Sequence, residues 1–69
     1  MELTEKKELK DPVIIEATII VRMSAKSVCF DCEGDLEWFP KSQLNWNPEK
    51  NELEIPRWLA REKFPNDNF

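Results

Sequence analysis

Sixty-nine residues, 41% of them hydrophobic and 35% charged, make one small globular domain and exclude a fully disordered chain. Ten Lys plus Arg against fourteen Asp plus Glu leave a net charge of −4, which disfavours indiscriminate binding to a phosphate backbone and suits a basic partner. One glycine and no apolar run near the roughly 20 residues of a membrane span exclude collagen-like, linker and membrane-helix classes.

The chain opens MELTEKKELK, with no apolar stretch and with acids among its lysines, so it reads as neither a signal nor a transit peptide. Residues 1–11 are polar apart from Met1, Leu3 and Leu9, and Asp11-Pro12 closes them with an extended or turn signal. The expected organisation is a flexible tail over 1–11, a single β-rich domain over 12–64 and a frayed tail over 65–69.

From Val13 the texture becomes VIIEATIIVRM, rich in β-branched residues, which predicts one long strand over 13–23. Ile15, Ala17, Ile19, Val21 and Met23 alternate as its core face, and Ile14, Glu16, Thr18, Ile20 and Arg22 as its outer face. Ser27–Cys32 is a second strand with Val28, Phe30 and Cys32 on one side. Glu33-Gly34 supplies the only glycine, where a hairpin loop with a bulge needs positive φ. A third strand follows over Leu36–Phe39, expected to turn Leu36 and Trp38 inward and to leave Phe39 as the best exposed aromatic. Pro40 ends it.

Leu44 and Trp46 alternate with Asn45 and Asn47, and Leu53 and Ile55 with Glu52 and Glu54. Between these runs Asn47-Pro48-Glu49-Lys50-Asn51 has the composition of a turn, so a second hairpin is expected. Pro56 suits the first position of a helix over RWLAREKF, with Trp58, Leu59 and Phe64 as anchoring groups, and Pro65 stops it. The fold class expected is mainly β (α+β). It is either a small bent five-stranded antiparallel sheet or an SH3-like or OB-like partial barrel, lidded by one short C-terminal helix.

The chain has no histidine and no tyrosine, which removes the commonest general base, the commonest metal ligand and every Ser/His or Cys/His pair. One glycine cannot build a phosphate loop. A noncatalytic protein without a cofactor is expected. Cys29-Phe-Asp-Cys32 matches C-x-x-C, but a zinc site needs about four ligands and a redox pair needs a helix N-terminus, so one buried and one edge cysteine is the expectation. Two cysteines are too few for a secreted disulfide framework, which fits a reducing, cytoplasmic setting.

Asp31, Glu33, Asp35 and Glu37 crowd the first hairpin tip as an acidic knob suited to a basic protein surface rather than to a metal. Trp38, Trp46 and Trp58 are three tryptophans in a short chain. Each can fill core, or can stand exposed beside Phe39, Lys41, Arg57 or Arg61 as a protein hot spot or a base-stacking platform.

Trp38-Phe39-Pro40-Lys41-Ser42-Gln43-Leu44, followed by Ile55-Pro56-Arg57-Trp58-Leu59-Ala60-Arg61-Glu62-Lys63, resembles short uncharacterised proteins of bacteriophages, prophages and bacteria. In those proteins W-x-P-K-S-Q precedes I-P-x-W-L-A-x-E-K. Ala25-Lys26-Ser27-Val28 extends the similarity over roughly residues 13–64, and the chain departs from the pattern at Phe64-Pro65, where those proteins usually have Gly. The resemblance implies a compact domain in a phage or mobile-element setting, and it nominates Lys41, Ser42 and Gln43 as a polar patch.

The function expected is therefore a small noncatalytic binding module, a phage or mobile-element accessory protein that contacts a host or defence protein. Its expected surface is Phe39, Lys41, Ser42, Gln43, Arg57 and Arg61. The alternative is a small barrel that binds single-stranded nucleic acid, since residues 38–64 carry five Lys or Arg against four Glu. A monomer is expected, or a weak homodimer formed through an edge strand or through Ile14 and Ile20.

Overall fold

The computed structural model describes residues 7–18 and 20–69, so residues 1–6 and the expected core position Ile19 lie outside the described residues. Among the described residues six strands alternate with little else: β1 (Pro12–Glu16), β2 (Ile20–Met23), β3 (Ser27–Cys32), β4 (Asp35–Pro40), β5 (Asn45–Asn47) and β6 (Glu52–Pro56). One helix, α1 (Arg57–Lys63), follows β6 directly, and a single 3-10 turn (Lys41–Gln43) joins β4 to β5.

The strands form two three-stranded antiparallel sheets, ordered β1-β6-β5 and β2-β3-β4, rather than one five-stranded sheet or a closed barrel. The predicted long strand is thus two strands in different sheets. A straight strand over these eleven residues would span about 33 Å, longer than the 31 Å longest axis of the molecule in which the run is bent. The bend falls at Ala17 and Thr18. The Ala17 amide donates to the Asn51 carbonyl (3.1 Å), beside the first sheet, whereas the Thr18 amide donates to the Asp31 carbonyl (3.0 Å) in the second.

The corner interrupts the alternation that the sequence suggested. Ile15 and Ala17 face the core as expected, but β2 resumes with Ile20 opposite Phe30 and a bulge before Arg22 opposite Cys29. Ile20 consequently packs against the core, while Val21 and Met23, expected inside, are exposed.

The same kind of inversion occurs in the first hairpin. Glu33 and Gly34 have φ of +54° and +96°, as a two-residue type I′ turn requires, and Cys32 pairs directly with Asp35. With no bulge in the loop, the register runs on to Val28 opposite Phe39 and Cys29 opposite Trp38. Directly opposed residues share a face. Phe39 therefore joins Val28 and Phe30 in the core at 0% exposure, and Leu36 and Trp38 turn outward at 58% and 42%. A bulged loop would have shifted the pairing by one residue and sent each side chain to the other face.

The second hairpin follows its turn signals. Asn47 Oδ1 accepts from the Glu49 amide (3.2 Å), Asn51 takes the left-handed φ of +54°, and Asn47 pairs with Glu52. At the far end of β6, Pro12 faces Pro56, so the ladder ends where neither residue can donate.

Between the sheets lie Val28, Phe30 and Phe39 from one side and Leu53, Ile55 and Leu44 from the other. Helix α1 packs on β6 and β1 through Leu59 and Ala60, both buried, while Trp58 points away from the core at 54% exposure. The expected Trp58 anchor is replaced by Ala60, because a seven-residue helix buries one stripe and Leu59, Ala60 and Lys63 share it. Aromatic rings link core and helix: Trp46 lies 4.9 Å from Phe30, Phe30 6.0 Å from Phe39, and Phe39 6.5 Å from Phe64.

Residues 7–11 pack on this frame. Asn45 Oδ1 accepts from the Lys7 amide (2.7 Å) and Asn45 Nδ2 donates to the Lys7 carbonyl (2.9 Å), so one side-chain amide reads both edges of residue 7. The Asp11 carbonyl accepts from the Arg57 amide (2.9 Å), and the Asp11 carboxylate pairs with the Arg57 guanidinium (2.8 Å). That pairing holds the Asp11 carboxyl below its ordinary range. No helix among the described residues is long and apolar enough to cross a membrane.

Candidate functional site

The residues expected to form one binding surface are distributed over separate elements. Phe39 is core and leaves the surface altogether. Lys41, Ser42 and Gln43 form the 3-10 turn after β4, with Ser42 exposed and the Lys41 amide donating to the Lys26 carbonyl (2.8 Å). Arg57 and Arg61 lie one turn apart on α1. Arg57 is engaged by Asp11, and Arg61 Nε donates to the Phe69 carbonyl (3.1 Å).

The turn inversion puts a different aromatic on the surface. Leu36, Trp38 and Pro40 alternate along the outer side of β4, which is an edge strand, and the Lys41–Gln43 turn continues from it. In register beside them on β3 are Asp31 and Cys29, and Arg22 on β2 stands next to Cys29. Cys29 is buried between Trp38 and Arg22 even though it belongs to this outer side. The face is apolar at its middle with one acid and one base beside it.

The four hairpin acids do not make a single knob. Asp31 Oδ1 accepts from the Gly34 amide (2.8 Å) and shapes the turn. Glu37 is half-buried opposite Phe30 on the inner side. Glu33 and Asp35 join Glu16, Glu52 and Asp67 around a cleft of about 540 Å³, whose apolar lining comes from Ile14, Ile15, Cys32, Phe64 and Phe69. Glu16, Glu52 and Asp67 were not singled out from the sequence, because they are distant from the tip along the chain and only the packing of the sheets brings them to it.

At the cleft the Glu33 carboxyl is pushed above its ordinary range, first by a hydrogen bond shared with Glu16, then by the Glu16 charge, with burial and Asp67 acting in the same direction. Among the described residues no group of His, Cys, Asp or Glu side chains converges closely enough to hold a metal ion.

Both cysteines are buried free thiols, which corrects the expected edge position for one of them. They stand on opposite sides of β3, the central strand of its sheet. Burial, followed by the charges of Glu37 and Asp31, pushes the Cys32 thiol up to about 11. Since the thiolate is the reactive form, iodoacetamide is expected to modify Cys32 slowly in the native protein near neutral pH and rapidly after urea denaturation. Mass spectrometry of the alkylated peptide checks this, and rapid native labelling would show that the thiol is open.

No family model, curated protein or solved structure matches the chain.

Proposed function

We propose that the chain is a noncatalytic binding module that contacts another protein through the outer face of β4, centred on Leu36 and Trp38. In keeping with the sequence resemblance, the setting is that of a cytoplasmic phage or mobile-element accessory protein acting on a host or defence protein. The observation that carries the reading is the outward turn of two large apolar side chains, side by side on a sheet face, in a chain whose buried core is already complete without them. An exposed tryptophan beside an exposed leucine, with charges next to them, has the make-up of a protein hot spot. Two free thiols agree with a reducing compartment.

A phosphate backbone would need free cations, and both Arg57 and Arg61 already donate within the chain. The nucleic-acid reading is left with Lys41, Lys50 and Lys63 and with the exposed rings of Trp38 and Trp58.

The test is affinity purification from the host with the wild-type chain and with Trp38→Ser and Trp58→Ser. A stoichiometric protein partner is expected with the wild type and with Trp58→Ser, and it should disappear with Trp38→Ser. Retention of the partner by Trp38→Ser, or recovery of nucleic acid alone, overturns the reading. A wild-type mass that doubles in sedimentation and falls on dilution, but stays single in Trp38→Ser, would assign the face to a second copy of the chain and overturn it as well.

A further inference from the structure

We propose that the cleft beside the first hairpin turn is a second binding site, which takes a lysine or arginine side chain presented with a neighbouring apolar residue by a basic segment of a protein. It opens on the inner side of the β3–β4 hairpin, opposite the face that carries Trp38, so it does not depend on the function proposed above.

The cleft has the dimensions of a ligand site, since its volume of about 540 Å³ falls within the ~300–1,000 Å³ of typical pockets. Its chemistry selects the occupant. Glu16, Glu33, Asp35, Glu52 and Asp67 supply carboxylates from four separate stretches of chain, and no lysine or arginine among the described residues lines the cleft with them. Glu16 of β1 and Glu33 of the turn between β3 and β4 both line the cleft and are close enough to share a hydrogen bond. Two carboxyls held together without a countercharge repel each other, and an entering cation relieves that repulsion while an anion adds to it.

The apolar lining narrows the choice further. A bare divalent ion would need several oxygens converging at about 2.3–2.6 Å, an arrangement that the described residues do not provide. Ile15, Phe64 and Phe69 instead offer a surface for a hydrocarbon stem, and the two rings can lie against a cationic head. A long stem ending in a charge is the architecture of Lys and Arg side chains.

The experiment is an NMR titration of the full-length protein with a capped Leu-Arg-Leu peptide. The controls are the same peptide with norleucine in place of Arg, spermidine, and calcium chloride. Selective shifts of the Ile15 methyl and the Phe64 and Phe69 ring signals are expected with the Arg peptide alone. In Glu16→Gln/Glu33→Gln, whose neutral side chains cannot repel each other, the affinity should fall roughly fivefold. The charge-matched control Glu49→Gln/Glu62→Gln, placed outside the cleft lining, and Trp38→Ser should bind as the wild type does.

Lowering the pH should also weaken binding, because a proton taken up by Glu33 replaces the cation. Glu16 of β1 and Asp67 of the C-terminal segment favour its uptake there, and Asp35 of β4 and Glu52 of β6 line the same cleft. Equal shifts with the norleucine peptide, equal affinity for spermidine or calcium, no loss in the double variant, or no shifts at all would each overturn the proposal.

Discussion

Phe39→Ala is expected to lower the stability of the domain by ~3–5 kcal/mol, whereas Trp38→Ala, one residue away, should change it by about 0.5 kcal/mol. The contrast follows from the register of the first hairpin. Phe39 faces Val28 at 0% exposure and lies 6.0 Å from the ring of Phe30 and 6.5 Å from that of Phe64, so truncation leaves a void between two rings and a valine that cannot easily close it. Trp38 stands on the outer face at 42% exposure, so its removal uncovers part of Cys29 but leaves no enclosed void. A domain of this size holds the lower part of the usual ~5–15 kcal/mol of stability, so Phe39→Ala should be largely unfolded in mild urea. Far-UV circular dichroism during urea titration measures both variants without depending on the altered tryptophan. Equal losses, or a greater loss for Trp38→Ala, would mean that the hairpin pairs in the bulged register.

Ala17→Leu is expected to cost ~1–3 kcal/mol through overpacking. Ala17→Gly should cost about 1 kcal/mol through the lost methyl and the added backbone freedom. Ala17 is fully buried at the corner where the chain leaves one sheet for the other, and its amide is tied to the Asn51 carbonyl. A long side chain there must displace either the sheets or the hydrogen bond. In a straight strand the same substitution would add apolar surface to an inward position and be far better tolerated. Urea midpoints measured with an unchanged slope distinguish the two, because a change in midpoint alone is a change in stability. If Ala17→Leu is as stable as the wild type, the corner is not close-packed.

Glu33-Gly34 shows how little separates a legible fold from a misread one. Its composition marks a hairpin whether the loop holds two residues or a bulge, and both readings place strands at the same positions along the chain. The choice sets the pairing parity, and with it whether Phe39 or Trp38 belongs to the core. The two-residue solution was available in the sequence, since Val28, Phe30 and Cys32 facing Phe39 bury a ring beside a ring. The alternation of Leu36 with Trp38 was the stronger local pattern, and it was misleading because both are large and apolar.

The sequence by itself determined that this protein is mainly β, that both hairpins turn where Gly, Asn and Pro permit, and that a short helix follows Pro56, since each depends on neighbours within a few residues. It also shows that the chain holds no histidine and no tyrosine, so neither side chain can take part in whatever it does. Only the tertiary structure decided that the apolar run after Pro12 bends at Ala17 and serves two sheets, because local alternation is the same in a straight strand and in a bent one, and the hydrogen-bond partners that part the run, Asn51 and Asp31, are distant along the chain. Only the tertiary structure, likewise, gathered Glu16, Glu33, Asp35, Glu52 and Asp67 around one cleft. Each is an ordinary surface acid along its own strand or loop, and their shared electrostatics arise from the closing of two sheets over a common core.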